Sequence, residues 1–117
     1  MSYKVTRKNE AVTYQAGAHF DVRTTRLHNP ADVTDGHITM GLSHFLPAGG
    51  ADMKEANGEM IYFIKDGEMT VTVKEEDGTE TPYRLLAGDS IHMSVGQWRS
   101  SLNTGMEVAQ MLVVVVK

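Results

Sequence analysis

The chain of 117 residues contains no cysteine, and this absence excludes disulfide bonds and every metal site built from thiolates. Long apolar runs are missing as well, since the longest, residues 111–116, is too short to cross a bilayer as a helix. The first residues also lack the apolar segment of a signal peptide. These absences predict a cytoplasmic protein that does not contact membranes.

Clusters of positive charge are also absent, because the basic residues are scattered singly and the net charge is −4. Proteins that bind nucleic acid or anionic membranes present a basic patch, so the sequence predicts neither partner. Hydrophobic residues make up 41% of the chain, which is enough to build a core and too many for a disordered protein. At this length we expect a single folded domain.

Alternating apolar and polar residues, typical of half-buried β-strands, recur along the chain. Residues 1–18 show no period and are interpreted as an N-terminal arm, followed by a first strand at residues 19–27. A second strand covers residues 37–46, and Pro47 with the glycines after it is expected to end this strand. One alternating set of the second strand is expected to face the core: Ile38, Met40, Leu42, His44 and Leu46.

The stretch 59–73 places two strand-like runs around Asp66-Gly67, a pair that favours the positive φ of a two-residue hairpin turn. Asp77-Gly78 predicts a second hairpin. The runs 60–64 and 108–116 are apolar on both faces, which is typical of strands covered on both sides. No run shows a helical period, so the pattern predicts an all-β sandwich or small barrel.

Two glycine-bearing stretches carry a resemblance to a known family. The first is Pro47-Ala-Gly-Gly followed, after a connection, by residues 59–68. The second is the run 88–103, with landmarks at Gly88, Gly96 and Asn103. Both stretches resemble the two motifs of the cupin superfamily of small β-barrels. The resemblance implies an antiparallel double-stranded β-helix, that is, a cupin or jelly-roll barrel.

The expected organisation is one domain over residues 1–117, with the barrel at residues 37–116. The last strand is apolar on both alternating sets, so it either lies centrally in the core or forms half of a dimer contact. We therefore expect a homodimer that associates through the N-terminal arm or the last strand.

Metal-bearing cupins hold a divalent cation with two histidines and a glutamate from the first motif and one histidine from the second. Counting from the motif glycines places these positions at Lys54, Ala56, Met60 and Arg99. Alanine has no donor atom, methionine suits only soft metals, and lysine and arginine would repel a cation. The resemblance therefore implies that this chain holds no metal and no other cofactor.

A small-molecule ligand in the barrel mouth is the partner expected for such a cupin. Arg99 would stand at the position of a lost metal ligand, where its guanidinium can bind a carboxylate or enolate. Met60, Tyr62 and Trp98 would form the apolar wall of the site. His44 and Glu59 are the candidate catalytic residues, because each can transfer a proton.

The leading functional hypothesis is a metal-independent cupin that binds a small, anionic organic ligand, either for binding alone or for proton transfer as in isomerisation or decarboxylation. A second hypothesis is a metalloenzyme of the dioxygenase or hydrolase type, with ligands drawn from His44, Glu59 and either Glu55 or His92. A third is a non-catalytic dimeric sensor or interaction module. The residues alone leave all three open.

Overall fold

The structure is a computed structural model that describes residues 2–117, and these residues form nine β-strands with three single-turn 3-10 helices. The helical turns are Lys8–Glu10, Pro30–Asp32 and Thr34–Gly36. The strands are β1 (Val12–Tyr14), β2 (His19–His28), β3 (Ile38–Glu55), β4 (Glu59–Asp66), β5 (Glu68–Lys74), β6 (Glu80–Leu86), β7 (Ser90–Met93), β8 (Trp98–Leu102) and β9 (Ala109–Val116). The all-β prediction is confirmed. Over the described residues, no helix has the length and apolarity needed to cross a membrane.

The strands form one antiparallel sheet in the order β6-β5-β8-β3-β9-β4-β7, and this sheet curls into a nearly closed barrel. β2 pairs with β3 on the side of the barrel, and β1 pairs with β2. The long strand β3 changes neighbours along its length, because its first half pairs with β9 and its second half with β8. β3 therefore joins the two halves of the barrel, one containing β9, β4 and β7 and the other containing β8, β5 and β6.

The hairpin predicted for residues 59–73 is wrong. β4 pairs with β7 and β9, whereas β5 pairs with β6 and β8, so the two strands diverge after Gly67. Gly67 does have a positive φ of 78°, but such a residue also serves a corner where the chain crosses between the two halves of the barrel. A Cβ at Gly67 would lie 2.9 Å from Ala109 Cα. The second Asp-Gly pair does form the expected hairpin, between β5 and β6.

The strand end expected at Pro47 is also wrong, because β3 continues as far as Glu55. Its pairing with β8 shifts register between Ala51 and Lys54. The neighbouring backbone approaches very closely here, and a Cβ at Gly50 would collide with the carbonyl oxygen of Ser101. The glycines therefore allow β8 to pack against β3 rather than ending the strand.

The barrel interior is filled by buried side chains from both halves, notably Phe45, Ile64, Met69 and Val71. In β3 the inward set is Gly41, Ser43 and Phe45, so the core face predicted for this strand is wrong. Alternation divides a strand into two sets without showing which one points inward. The small inward residues Gly41 and Ser43 of β3 leave space for a cavity inside the barrel.

Glu68 ties β5 to β6 and to the loop before β9. Its carboxylate accepts hydrogen bonds from Arg84 Nε at 3.0 Å and Nη2 at 2.9 Å, and from the Thr104 hydroxyl at 2.7 Å. The Arg84 guanidinium, helped by Thr104, lowers the pKa of Glu68 from 4.5 to about 2. The folded state therefore favours the ionised carboxylate.

We expect Glu68→Gln to change the acid stability of the protein. The pKa of Glu68 is depressed on folding, so its stabilisation is complete above pH 4.5 and is lost as the pH falls towards about 2. The variant should be less stable than the wild type near neutral pH. The difference between their free energies of unfolding should shrink as the pH falls from 4.5 towards about 2. Urea unfolding at a series of pH values measures it, with Glu76→Gln in the exposed β5–β6 turn as the control. A difference that does not change with pH would show that the ionised Glu68 carboxylate is not the source of this stabilisation.

Candidate functional site

A cavity of about 340 Å³ opens between the two halves of the barrel. Its volume lies at the lower end of the range for small-molecule sites. Strands β3, β4, β8 and β9 supply its inner wall, and the segment before β2 and residues near the start of β3 border it on another side. The inner wall includes Ser43, Met60, Tyr62, Ser101, Met111 and Val113.

Arg99 lines this cavity from β8. Its Nε donates a hydrogen bond to the Tyr62 hydroxyl at 3.2 Å, and its Nη1 donates to the Lys54 carbonyl at 2.7 Å. Tyr62 is buried on β4 and Lys54 is the cross-strand partner of Arg99 on β3. Within residues 2–117, Nη2 makes no hydrogen bond. The guanidinium is thus held at two points and keeps donors available.

Three further residues with cationic side chains line the same cavity: Arg26, Lys54 and Lys117. The Arg26 guanidinium lies 4.2 Å from the centre of the Tyr14 ring, a cation–π contact that holds it at the mouth. In the described part of the chain, neither Arg26 nor Lys54 nor Arg99 has a carboxylate within 4.0 Å. Glu55 is the one acidic side chain among the lining residues. The cavity therefore carries an excess of positive charge.

His19 and His37 also line the cavity, although they are too far apart in the sequence to have been selected as site residues. Nδ1 of His19 lies 2.7 Å from the Gly17 carbonyl, and Nδ1 of His37 lies 2.6 Å from the Thr34 carbonyl. Each Nδ1–H donates to its carbonyl, so Nε2 is the acceptor in the neutral ring. The two rings are separated by a whole strand in sequence, and only the folded chain brings them to one cavity.

The structure brings together three of the six predicted site residues, Arg99, Tyr62 and Met60. Trp98 follows the alternation of β8 and lies on the outer side, with the Lys74 ammonium 5.7 Å from its ring centre. Glu59 is likewise outside the cavity, 58% exposed, with Oε1 2.7 Å from Nε2 of His92. His44 lies on the outer face of β3, opposite to Ser43 and Phe45.

The residues at the cupin metal positions do not fit a divalent metal. Lys54, Met60 and Arg99 all line the cavity and Ala56 is buried beside it, so a cation there would meet two positive side chains. Among residues 2–117, no three His, Asp or Glu side chains are grouped to share a cation. The alternative ligand set does not converge, since Glu55 lines the cavity while His44 and Glu59 lie outside it.

His44 has an unusual environment for a residue on the outside of the sheet. Burial lowers the pKa of His44 below its ordinary value of 6.5, and the nearby positive charges of Arg23 and Lys65 lower it further. Its Nδ1 is buried and has no hydrogen-bond partner within the described residues. The folded state therefore favours the uncharged imidazole.

We expect His44→Gln to reduce the loss of stability in mild acid. Because the pKa of His44 is lowered on folding, the unfolded chain takes up the proton first, and stability falls as the pH drops below 6.5. Thermal unfolding of wild type and variant between about pH 7.5 and pH 5 measures the difference. His28→Gln, a second histidine on the neighbouring strand, is the control. Identical pH profiles for wild type and His44→Gln would show that the His44 imidazole does not contribute to the loss of stability in mild acid.

The chain is similar in sequence to a known protein and similar in fold to several solved structures. No protein-family model matches the chain. A β-D-galactosidase of Mycobacterium tuberculosis (strain ATCC 25618 / H37Rv) is 38% identical over 112 residues, which cover 96% of this chain and 92% of that protein. The relative is therefore similar along essentially its whole length.

Solved structures agree on the fold. The cupin domain of Drosophila melanogaster CENP-C superposes with a TM-score of 0.75 at 18% identity, over 100% of this chain and 83% of that one. An RmlC-like cupin from Shewanella frigidimarina gives 0.73 at 14% identity, over 98% and 91%. A variant of Bacillus subtilis oxalate decarboxylase gives 0.80 at 12% identity, and this chain spans 30% of its length. These structures show that the chain has the cupin fold, and its similarity to the mycobacterial protein shows that the two belong to one family.

Proposed function

We propose that the protein binds a small organic anion in the barrel cavity, with Arg99 as the group that holds its carboxylate. The observation that carries this proposal is the set of three cations, Arg26, Lys54 and Arg99, which line one cavity without a carboxylate within 4.0 Å in residues 2–117. Grouped like charges repel one another, and an enclosed site strengthens that repulsion. An anion that enters the cavity relieves it.

Arg99 is suited to the role because its orientation is already fixed before a ligand binds. The hydrogen bonds to Tyr62 and to the Lys54 carbonyl engage Nε and Nη1, and Nη2 stays available. A planar guanidinium binds carboxylates through parallel charge-assisted hydrogen bonds. Because little side-chain freedom is lost on binding, the pre-oriented group gains affinity.

The rest of the cavity defines what else the anion should carry. Met60, Met111 and Val113 offer apolar contacts to a carbon skeleton. His19 and His37 offer Nε2 acceptors to hydroxyl groups. We infer that the preferred ligand is a short hydroxylated acid. Any proton transfer on this ligand would fall to these histidines rather than to His44 or Glu59, which lie outside the cavity.

The experiment is a thermal-shift screen followed by calorimetric titration, using pairs that differ only in charge. Small carboxylic acids and hydroxy acids are each compared with their primary amides. The proposal predicts that the acids raise the unfolding temperature and that the amides do not. Equal responses to acid and amide, or none at millimolar concentration, would contradict it.

Hydrolysis of β-galactosides is a second candidate, favoured by the name of the mycobacterial relative. Most glycosidases use two carboxylates, about 5 Å apart when they retain and about 6.5–9.5 Å apart when they invert configuration. Glu55 is the one acidic side chain that lines the cavity in the described residues, so this pair is not assembled there. A chromogenic β-galactoside tests the candidate. Turnover that Glu55→Gln abolishes would favour hydrolysis, and turnover unchanged by that substitution would place the activity elsewhere.

A further inference from the structure

The connection between β3 and β4 contains Asn57-Gly58, the one Asn-Gly pair in the sequence. This connection has no regular secondary structure, and Asn57 is exposed where it borders the cavity. The preceding residue is anchored, because the Ala56 N–H donates to the Gln97 carbonyl at 2.9 Å and the Ala56 carbonyl accepts from the Gly96 N–H at 2.8 Å. The Asn57 side chain is therefore open to solvent at a fixed place on the cavity rim.

Gly58 is required by the fold. A Cβ at this position would lie 2.8 Å from Val115 Cγ1 and 2.9 Å from the Val116 carbonyl oxygen, both on β9. Contacts this short exclude a side chain, so β4 and β9 can approach one another here only beside a glycine. The same lack of a side chain leaves the Gly58 nitrogen unshielded towards the Asn57 amide, which directly precedes it in the chain.

The Gly58 nitrogen is also free to react. Over residues 2–117, its N–H donates no backbone hydrogen bond that would have to break first. Lys54 and Lys117 line the cavity together with Asn57, and Cγ of Lys117 lies 3.1 Å from where a Cβ of Gly58 would be. Positive charge near this nitrogen stabilises the negative charge that develops as it loses its proton.

We propose that Asn57 is a site of spontaneous deamidation, which adds a negative charge to the cavity. The Gly58 nitrogen gives up its proton and forms a bond to Cγ of Asn57, which closes a succinimide ring. The bond from Cγ to the side-chain nitrogen breaks, and that nitrogen leaves with the proton as ammonia. Solvent water then opens the ring at one of its two carbonyls, which yields aspartate or isoaspartate. The balance is one water consumed and one ammonia released, with no oxidant or reductant.

The new carboxylate changes the charge of the cavity at its rim. Glu55 is the one acidic side chain that lines the cavity in the described residues, so deamidation doubles the negative charge there. A carboxylate at position 57 repels an entering anion and attracts the ammonium groups that would otherwise bind it. The modification does not depend on the proposed function, whereas its effect on ligand binding rests on it. The protein would thus lose anion affinity as it ages.

Peptide mapping by mass spectrometry tests the modification without any ligand. After incubation of the folded protein in mildly alkaline buffer, we expect a mass increase of about 1 Da in the peptide that contains Asn57. Asn9 and Asn29 are internal controls, because they precede Glu10 and Pro30, and proline has no N–H to lose. The urea-unfolded protein is the reference for an unrestrained chain. Asn57 that stays intact in the folded protein while the unfolded chain is converted would overturn the proposal.

Two variants test the effect on the cavity. Asn57→Asp introduces the charge directly, and Asn57→Gln is its neutral match, which should also give no mass change at position 57 because glutamine would have to form a larger ring. Calorimetric titration should show that Asn57→Asp binds the best acid from the screen about 3- to 10-fold more weakly than Asn57→Gln. Equal affinities would overturn the effect on binding. If position 57 is modified but no variant binds an acid, the proposed function fails and the modification site stands.

Discussion

Arg99→Met should weaken the binding of a carboxylate ligand by about 10- to 150-fold, since a hydrogen bond to a charged group contributes about 1.5–3 kcal/mol. The methionine side chain has a similar length but no donor, so the apolar part of the cavity wall is kept. Calorimetric titration with the best acid from the screen measures the loss. Arg99→Lys should fall between wild type and Arg99→Met, because it keeps the charge but not the planar pair of donors.

The control is Arg84→Met, which removes a guanidinium that pairs with Glu68 outside the cavity. Its ligand affinity should equal that of the wild type. Because Arg99 also donates to the buried Tyr62 hydroxyl, the unfolding temperature of each variant without ligand must be measured as well. Unchanged affinity in a folded Arg99→Met variant would show that the anion is held elsewhere or that no anion is bound.

Asn103→Ala should lower the free energy of unfolding by about 3 kcal/mol. Asn103 is 2% exposed, and its Nδ2 donates to the carbonyls of Phe45 at 3.0 Å and Glu107 at 2.8 Å. Its Oδ1 accepts from the Gly105 N–H at 2.9 Å. Alanine removes these three hydrogen bonds from a buried site, and each buried group that is left without a partner costs about 1–3 kcal/mol.

For a domain of this size the loss corresponds to a fall of about 10–20 °C in the unfolding temperature. Differential scanning calorimetry and urea unfolding measure it, with Asn9→Ala as the control, because Asn9 lies exposed in the first 3-10 turn. We expect the control to lie within about 0.5 kcal/mol of the wild type. A small effect of Asn103→Ala would mean that water replaces the lost partners.

Asn103 illustrates what the sequence can predict. It ends the second motif, and the structure shows why an amide is needed there: its side chain ties the end of β8 to β3 and to the loop before β9. The motif resemblance also implied that Met60 and Tyr62 line the site, and both side chains point into the barrel. The motif is informative here because residues 60–64 are apolar on both faces, so alternation alone leaves the inward set open.

Other features depend on contacts that are distant in sequence. Both alternating sets of residues 37–46 contain apolar residues, so the pattern alone could not show that Ser43 and Phe45 point inward while His44 points out. The turn at Gly67 has the chemistry of a hairpin, but β9 takes the place beside β4. His19 and His37 reach one cavity only after β2 and β3 have paired. These features follow from topology.

The cupin fold by itself does not determine the chemistry, because one fold supports many kinds of site. In this chain, positively charged side chains occupy positions where related barrels hold metal ligands, and Lys54 and Arg99 lie side by side on paired strands. In the proposed function, these side chains supply the positive charge that a metal supplies elsewhere. The ligand would therefore be held by hydrogen bonds and charge from the protein alone.

A crystal structure of the protein with the tightest-binding acid from the screen tests the proposed anion site directly. We predict that the carboxylate lies inside the barrel cavity, with an oxygen about 2.7–2.9 Å from Nη2 of Arg99. The hydrogen bonds from Arg99 to Tyr62 and to the Lys54 carbonyl should be retained. An acid bound outside the cavity, or inside it without contact to Arg99, would contradict the proposal that Arg99 holds the ligand's carboxylate there.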